Sequence, residues 1–81
     1  MATASPPEIY FGRALKRERI DAELTQEKLA NSIGMNLSEI SVFEAGRRSL
    51  QLRTMKRLTD GLGIPLSQIF ERAEELEAEA S

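Results

Sequence analysis

The chain is organised around residues 24–44, LTQEKLANSIGMNLSEISVFE, which predict two short helices with a tight turn between them. Thr25 is a favourable N-cap for the first of these helices, and Glu27 places a carboxylate in its first turn, where the helix dipole stabilises it. The apolar stripe of this helix consists of Leu29, Ala30 and Ile33. Gly34 follows as a C′ residue that can adopt positive φ, so the helix is expected to end there.

The second helix of the pair begins after only two further residues. Asn36 is its expected N-cap, and Glu39 lies three residues later, which is the spacing of a capping box. Ile40 and Phe43 form its inward stripe, because residues three apart share a helix face. Two helices of about eight residues, joined by a short turn that starts with glycine, predict a helix-turn-helix unit.

The amino-acid composition excludes several kinds of scaffold and site. A length of 81 residues predicts one domain, which buries only ~60% of its unfolded surface and therefore needs an efficient core. The absence of cysteine excludes a disulfide scaffold and a thiolate metal site, and the absence of histidine removes the usual general base and zinc ligand. We therefore predict no metal and no cofactor. No nucleophile–base pair or glycine-rich phosphate loop is recognisable, so an enzyme is not expected.

Targeting signals are not recognisable. No segment approaches the ~18 apolar residues of a membrane-spanning helix. Residues 1–7 have neither a basic n-region nor an apolar h-region, so they do not resemble a secretory signal. A soluble cytoplasmic protein is the expectation.

The formal net charge of −2 is unevenly distributed. Residues 1–70 contain ten Lys/Arg and eight Asp/Glu, whereas residues 71–81 contain one Arg and five Glu. The body of the chain is therefore mildly basic and its end is acidic, which gives weak support for a polyanionic partner.

Three further helices are predicted around the central pair. The first helix starts near residues 5–8, with Ser5 as its cap, and ends near residues 21–23. Its apolar face consists of Ile9, Phe11, Ala14, Leu15 and Ala22. The fourth helix covers about residues 52–62, is capped by Gly63, and has an apolar stripe of Leu52, Met55, Leu58 and Leu62. The fifth follows Pro65 and carries Leu66, Ile69, Phe70, Ala73, Leu76 and Ala80 on its apolar line.

The prediction is thus an all-α, compact five-helix domain, since no strand alternation or hairpin signal is present. We divide the chain into a disordered N-terminal tail at residues 1–7, a helix-turn-helix domain at residues 8–70, and an acidic C-terminal helix extension at residues 71–81.

Several of these motifs are similar to those of the Cro/phage-repressor (Xre-like) helix-turn-helix family. The matching features are Gly12, Arg19, TQEKLA at residues 25–30, the turn around Gly34, and ISVFEAG at residues 40–46. The resemblance covers roughly residues 11–70. It implies a lambda-repressor-like, DNA-binding domain with its third helix in the major groove, and many members of the family are dimeric transcriptional regulators. Glu23 stands where the family commonly has glycine, and Leu50 where it usually has proline, so both loops are expected to differ locally.

The resemblance places base reading on the outward face of the third helix, at Leu37, Ser38 and Val42, with Ser41 beside them. Leu37 and Val42 can only pack on apolar base edges, above all the thymine methyl, and Ser38 discriminates weakly between bases. The alternative for the apolar pair is a protein contact. Glu39 has two interpretations, namely a cytosine contact or the capping box behind Asn36.

Four residues are candidates for contacts with DNA phosphates. Gln26 lies at a helix N-terminus, which favours anions, and the alternative for it is a solvent-exposed amide. Asn36 is expected to cap the third helix and also to contact the DNA backbone. Arg47 and Arg48 follow the third helix in a loop that we expect to be flexible. Both a phosphate contact and a solvated surface stay open for the cations of the first and fourth helices, Arg13, Lys16, Arg17, Arg53, Lys56 and Arg57.

The family pattern also places an arginine late in the first helix near a glutamate late in the third. Arg19 and Glu44 occupy these positions, and we expect them to form a partly buried structural ion pair that fixes the angle between the two helices.

The leading hypothesis is a sequence-specific, double-stranded-DNA-binding transcriptional regulator that acts as a homodimer on a pseudo-palindromic operator. The dimer interface is expected at Leu66, Ile69, Phe70 and Ala73, although Ile69 and Phe70 have the alternative of closing the monomer core. A second hypothesis is an antitoxin or protein-interaction module that uses the acidic C-terminal helix, for which a solvated helix end is the simpler interpretation.

Overall fold

The computed structural model describes residues 7–80, which form five α-helices and no strand. Their bounds are Pro7–Asp21 (α1), Gln26–Ile33 (α2), Leu37–Glu44 (α3), Leu52–Leu62 (α4) and Leu66–Ala80 (α5). The prediction of an all-α five-helix fold, with α2 and α3 as the helix-turn-helix pair, is confirmed. Pro7 is the first residue of α1. The rest of the predicted N-terminal tail and the predicted cap at Ser5 lie outside the described residues.

The predicted helix ends are set by local contacts. The Thr25 side-chain oxygen accepts a hydrogen bond from the Lys28 backbone N–H at 3.0 Å, which satisfies one of the free donors at the start of α2. Gly34 and Gly63 have φ angles of 69° and 73°, in the left-handed region. Glycine adopts this conformation readily, and these two residues end α2 and α4. These signals depend on neighbours within one helical turn, and the sequence pattern therefore predicts them well.

Two clusters of buried side chains hold the helices together. The larger cluster lies between α1, α2, α3 and α4 and consists of Leu15, Leu29, Ala30, Ile40, Phe43, Leu58 and Leu62. The smaller one joins α1 to α5 and consists of Tyr10, Ala14, Ile69 and Ala73. Tyr10 was missing from the predicted apolar face of α1, whereas Ala22, which was included, is exposed beyond the end of the helix.

The predicted stripe of α4 is wrong at its first residue. Leu52 is 65% exposed, whereas Thr59 is fully buried beside Leu58. Seven residues turn a helix by about 700°, so Leu52 lies on the same side of α4 as Thr59, and its exposure comes from its place as the first residue of the helix, since the buried residues Leu58, Thr59 and Leu62 all lie in the second half. The buried Thr59 hydroxyl donates to the Lys56 carbonyl oxygen at 3.1 Å, so its burial leaves no unsatisfied polar group.

Polar contacts also tie α5 to α1. The buried carboxylate of Glu18 accepts from Arg72 Nε at 3.1 Å and from Gln68 Nε2 at 2.9 Å. Arg72 also donates to Asp21 at 2.9 Å. The Glu18 carboxylate raises the pKa of the Arg72 guanidinium, which therefore stays cationic beside it. The single cation of the acidic segment thus anchors that segment to the body of the domain.

Candidate nucleic-acid interface

The outward face of α3 is small and apolar. Ile40 and Phe43 are buried in the core, which turns the opposite side of the helix to solvent. On that side Leu37 is 48% exposed, Ser38 and Ser41 are exposed, and Val42 is half-buried. All four predicted base-contacting side chains therefore lie on one continuous helix face.

Glu39 is engaged at the start of α3. Its Oε1 accepts a hydrogen bond from the Asn36 backbone N–H at 3.0 Å. The sequence is compatible with a cytosine contact or a capping box for Glu39, and in the structure its side chain forms the capping box. The carboxylate satisfies a backbone donor of its own helix, and Asn36 is held as the exposed N-cap.

A buried ion pair fixes α3 to α1. Arg19 Nε lies 2.6 Å from Glu44 Oε2, and a second guanidinium nitrogen donates to Oε1 at 3.1 Å. The third, Nη1, donates to the Leu24 carbonyl oxygen at 2.7 Å in the turn before α2. The two side chains are only 10% and 4% exposed, so they are not available to a nucleic acid.

Gln26 belongs to the same network. Its Nε2 donates to Glu44 Oε1 at 2.9 Å, and the side chain is half-buried rather than free in solvent. Because Glu44 is only an acceptor, it fixes the orientation of the Gln26 amide and leaves one N–H of that amide to donate elsewhere. Gln26 is also the first residue of α2, where unpaired backbone N–H groups favour an anion.

Glycine permits the close approach of α1 to α3. A Cβ at Gly12 would lie 2.5 Å from the Phe43 carbonyl oxygen and 2.6 Å from that of Glu44. Both atoms are backbone, so the last turn of α3 would have to move to make room. The position of the outward face of α3 therefore depends on the absence of a side chain at this one residue.

The loop after α3 is tied to the start of α1, which corrects the expectation that it is flexible. A Cβ at Gly46 would lie 2.6 Å from Ile9 Cα, and Gly46 has a φ of 72°. Ser49 Oγ donates to Glu8 Oε2 at 2.7 Å, and this bond lowers the pKa of the Glu8 carboxyl. Arg47 and Arg48 are exposed between these two attachments.

The other cations have mixed roles. Arg57 donates to the Ile33 carbonyl oxygen and so joins α4 to the end of α2. Lys56 pairs with Asp60 at 2.7 Å on the exposed face of α4, and the Arg13 guanidinium lies 5.5 Å from the Tyr10 ring centroid. For Arg57 and Lys56 these contacts favour the interpretation of a structural and solvated helix face.

The four residues predicted for the dimer interface separate into two groups. Ile69 and Ala73 are buried in the protomer's own core against α1, because α5 packs there, and they are not accessible to a second copy. Phe70 is 39% exposed and forms an edge-to-face contact with Phe11 at 4.8 Å, while Leu66 is half-buried. Beside Phe70 a shallow groove is lined by Phe11, Leu50 and Met55. Leu52, three residues before Met55 on α4, is 65% exposed.

Two features are absent from the helices that the structure describes. None of these helices is long and apolar enough to cross a membrane. Residues 7–80 also contain no cluster of Asp, Glu, His or Cys side chains that could hold a metal ion.

Comparison with known proteins gives consistent matches. The model of a family described as "Helix-turn-helix domain" matches residues 10–69. The chain is 36% identical over 63 residues to the control protein C.MunI from a Mycoplasma species, which covers 76% of this chain and 85% of that protein. It spans only about half the length of several other helix-turn-helix transcriptional regulators that it matches.

Solved structures agree with the fold. The restriction-modification controller protein C.AhdI from Aeromonas hydrophila superposes with a TM-score of 0.74 at 31% identity, covering 76% of this chain and 94% of that one. The controller protein C.Esp1396I, solved as a tetramer in complex with its natural 35 base-pair operator, has a TM-score of 0.83 at 23% identity and covers 93% and 99%. At this lower identity the second match supports the fold alone.

Proposed function

This chain belongs to the helix-turn-helix domain family, and from that premise we propose that it is a sequence-specific, double-stranded-DNA-binding transcriptional regulator. It acts as a homodimer on a pseudo-palindromic operator. The family match is in line with the Cro/phage-repressor resemblance of its motifs. C.MunI and C.AhdI are both named as control proteins, and they share more than 30% of their aligned residues with this chain.

The main support for the proposal is the way in which α3 is attached to the rest of the domain. Its outward face of Leu37, Ser38, Ser41 and Val42 is exposed, while its inner face and its last residue are locked to α1. A rigid helix of this diameter fits the major groove of B-DNA. An exposed but immobilised helix is what groove recognition requires, because the contacts then cost little ordering entropy.

Phosphate contacts on both sides of α3 set its register in the groove. Gln26 and Asn36 lie at the N-terminal ends of α2 and α3, and Arg47 and Arg48 follow the C-terminal end of α3. We assign these four residues to the DNA backbone. Such contacts contribute affinity and orientation but carry no direct sequence information.

The dimer is proposed to form through the apolar patch around Phe70, namely the groove beside it with Phe11, Leu50 and Met55, and Leu66 one helical turn before Phe70. Burial of such a patch against a second copy removes apolar surface from water, which is the main driving force for association. Two copies double the few base contacts of one α3. The half-sites are then expected about one helical turn apart, roughly 34 Å.

The names of the relatives do not favour the antitoxin or protein-interaction hypothesis. They are regulators rather than enzymes, which supports a role in binding without catalysis. We place the protein in the cytoplasm, where a regulator of this kind meets its DNA.

The test is selection of bound duplexes from a random DNA pool with the purified full chain. The expected result is an enriched two-fold symmetric sequence with half-site centres about 34 Å apart, whose affinity falls steeply with salt concentration. A pool that yields no enriched sequence contradicts the proposal.

A charge-matched pair of variants separates recognition from folding. Ser41→Glu places a carboxylate on the outward face of α3. It is expected to abolish binding, because DNA phosphates and the acceptor atoms of bases repel a carboxylate. Ala78→Glu adds the same charge at an exposed position near the end of α5 and is expected to bind as the wild type does. Equal binding by the two variants would show that α3 does not contact DNA.

A further inference from the structure

The recognition face of α3 lacks the groups that usually distinguish bases. Residues 37–44 contain no Arg, Lys, Asn or Gln, the residues that make the bidentate contacts with guanine and adenine. Of the two carboxylates in residues 37–44, Glu44 is buried and Glu39 is bonded to the Asn36 backbone N–H, where it serves the helix cap. Hydrogen-bonded recognition of a particular base is therefore weak on this helix.

The two hydroxyls on this face do not change that conclusion. Among residues 7–80, the side chains of Ser38 and Ser41 have no protein hydrogen-bond partner, so both are free to contact DNA. A hydroxyl donates or accepts with equal ease, and serine therefore accommodates more than one base. These side chains allow a close approach of α3 to the base edges but discriminate little.

What remains for discrimination is apolar contact. Leu37 is 48% exposed, lies outside both core clusters, and is a large apolar side chain on a face otherwise made of small residues. Val42 lies five residues further along, about 140° around the helix from Leu37 at the other edge of the outward face, and is half-buried. The C5-methyl of thymine is the apolar group in the major groove, and a cytosine methylated at C5 presents a methyl at the same ring position.

We propose that this protein recognises C5-methyl groups in the major groove through Leu37 and Val42. Its affinity for its operator then depends on thymine methyls, and C5-methylcytosine can replace thymine at these contacts. The inference rests on the proposed function, since it requires α3 to enter the groove. It adds the chemical group that the helix selects.

The helix geometry separates the two methyl contacts. Leu37 and Val42 are five residues apart, which is about 7.5 Å along the axis and about 140° around the helix. The two side chains therefore lie at opposite edges of the outward face and do not contact the same methyl. Each half-site is expected to contain two separate methyl-dependent positions.

The experiment replaces thymine by deoxyuridine, one position at a time, in the operator obtained from the random pool. Deoxyuridine lacks the methyl and keeps the hydrogen-bonding edge. Losing the burial of one methyl is expected to weaken binding about fourfold at a contacted position, and about fifteenfold when both half-sites are changed. The measurement is fluorescence anisotropy at constant salt. Equal affinity for deoxyuridine and thymine at every position would overturn the proposal.

Protein variants assign the contacts. Leu37→Ala is expected to remove the methyl dependence at one position and to keep it at the other, and Val42→Ala is expected to do the reverse. Ile20→Ala is the matched control, since Ile20 is an equally exposed apolar residue on α1 and should leave the wild-type pattern intact. If Leu37→Ala weakens binding without changing the deoxyuridine pattern, the assignment is wrong.

A second arm tests the methyl independently of thymine. A cytosine–guanine pair is placed at each methyl-dependent position, with and without methylation at C5. The methylated form is expected to bind about fourfold more tightly. Equal affinities contradict the inference while leaving the proposed function intact. A failure to select any operator in the first place contradicts the proposed function itself, so the two failures are distinguishable.

Discussion

The buried Arg19–Glu44 pair offers a sharp test of what holds the recognition helix in place. The change is Glu44→Gln, which keeps the shape of the side chain and removes its charge. Three donors converge on the two Glu44 oxygens, namely Arg19 Nε, a second Arg19 nitrogen and Gln26 Nε2. An amide has only one oxygen, so in either orientation its NH₂ group faces one of these donors.

The cost follows from the burial of the pair. The side chains of Arg19 and Glu44 are 10% and 4% exposed, and removing one partner leaves an uncompensated charge out of water. Such changes cost about 3–5 kcal/mol in folding free energy. A chain of 81 residues has a total stability of about 4–12 kcal/mol, so the variant is expected to be close to unfolding.

The assay is urea unfolding followed by far-UV circular dichroism. Arg19→Lys keeps the charge but loses the bidentate contact. Its loss in free energy of unfolding should be smaller, so it can be measured even if Glu44→Gln does not fold. The double variant Arg19→Met/Glu44→Met replaces the pair by apolar side chains of similar size. It is expected to be more stable than Glu44→Gln, because it leaves no buried charge without a partner.

The exposed pair Lys56–Asp60 is the matched control. Its N···O distance of 2.7 Å is similar, but both side chains are 61% exposed. Asp60→Asn should therefore cost less than about 1 kcal/mol. If Glu44→Gln costs no more than Asp60→Asn, or if the double variant is no more stable than Glu44→Gln, the argument from burial is refuted.

Five further substitutions have definite expected outcomes. Gly12→Ala should cost about 2–3 kcal/mol in thermal unfolding and weaken DNA binding, because the new Cβ meets the backbone of α3 at 2.5 Å; a wild-type melting temperature would contradict the close approach. Glu23→Gly should stabilise the protein by about 0.5–1 kcal/mol, since Glu23 has a φ of 60°; a destabilised variant would show that the Glu23 side chain makes a compensating contact. Phe70→Asp should shift the protein to monomer in analytical ultracentrifugation, and a dimer that persists would place the interface elsewhere. Arg47→Ala and Arg48→Ala should each weaken binding to all sequences and lower the salt slope by about one unit, and an unchanged slope would remove that arginine from the phosphate contacts.

Local sequence signals predicted the helix-turn-helix pair in detail. Thr25, Gly34 and Glu39 act on backbone groups within one turn of themselves, so a pattern of a few residues contains the whole interaction. The outward face of α3 follows in the same way, because the burial of Ile40 and Phe43 fixes which side remains exposed.

Contacts between distant residues were harder to predict. The burial of Ile69 depends on α5 packing against Tyr10 of α1, and the anchoring of Arg72 depends on Glu18, 54 residues away. No periodicity within one helix specifies which neighbour covers which face. The bond from Gln26 to Glu44 is a similar case, since it joins a proposed phosphate-contacting residue to the buried ion pair through a contact that neither local pattern contains.

The contacts of α1 explain why the proposed recognition and dimer surfaces keep a fixed relation to one another. Through Gly12 and Arg19 it sets the position of α3, through Ile9 and Glu8 it holds the loop of Arg47 and Arg48, and through Glu18 it binds α5. The apolar patch around Phe70 also rests on α1, by way of Phe11. In the proposed dimer, the distance between the two α3 helices then depends on packing against this one helix. A change that shifts α3 relative to α1 should then alter the preferred half-site spacing as well as the affinity, whereas a change on the outward face of α3 should alter the affinity or the preferred bases and leave the half-site spacing unchanged.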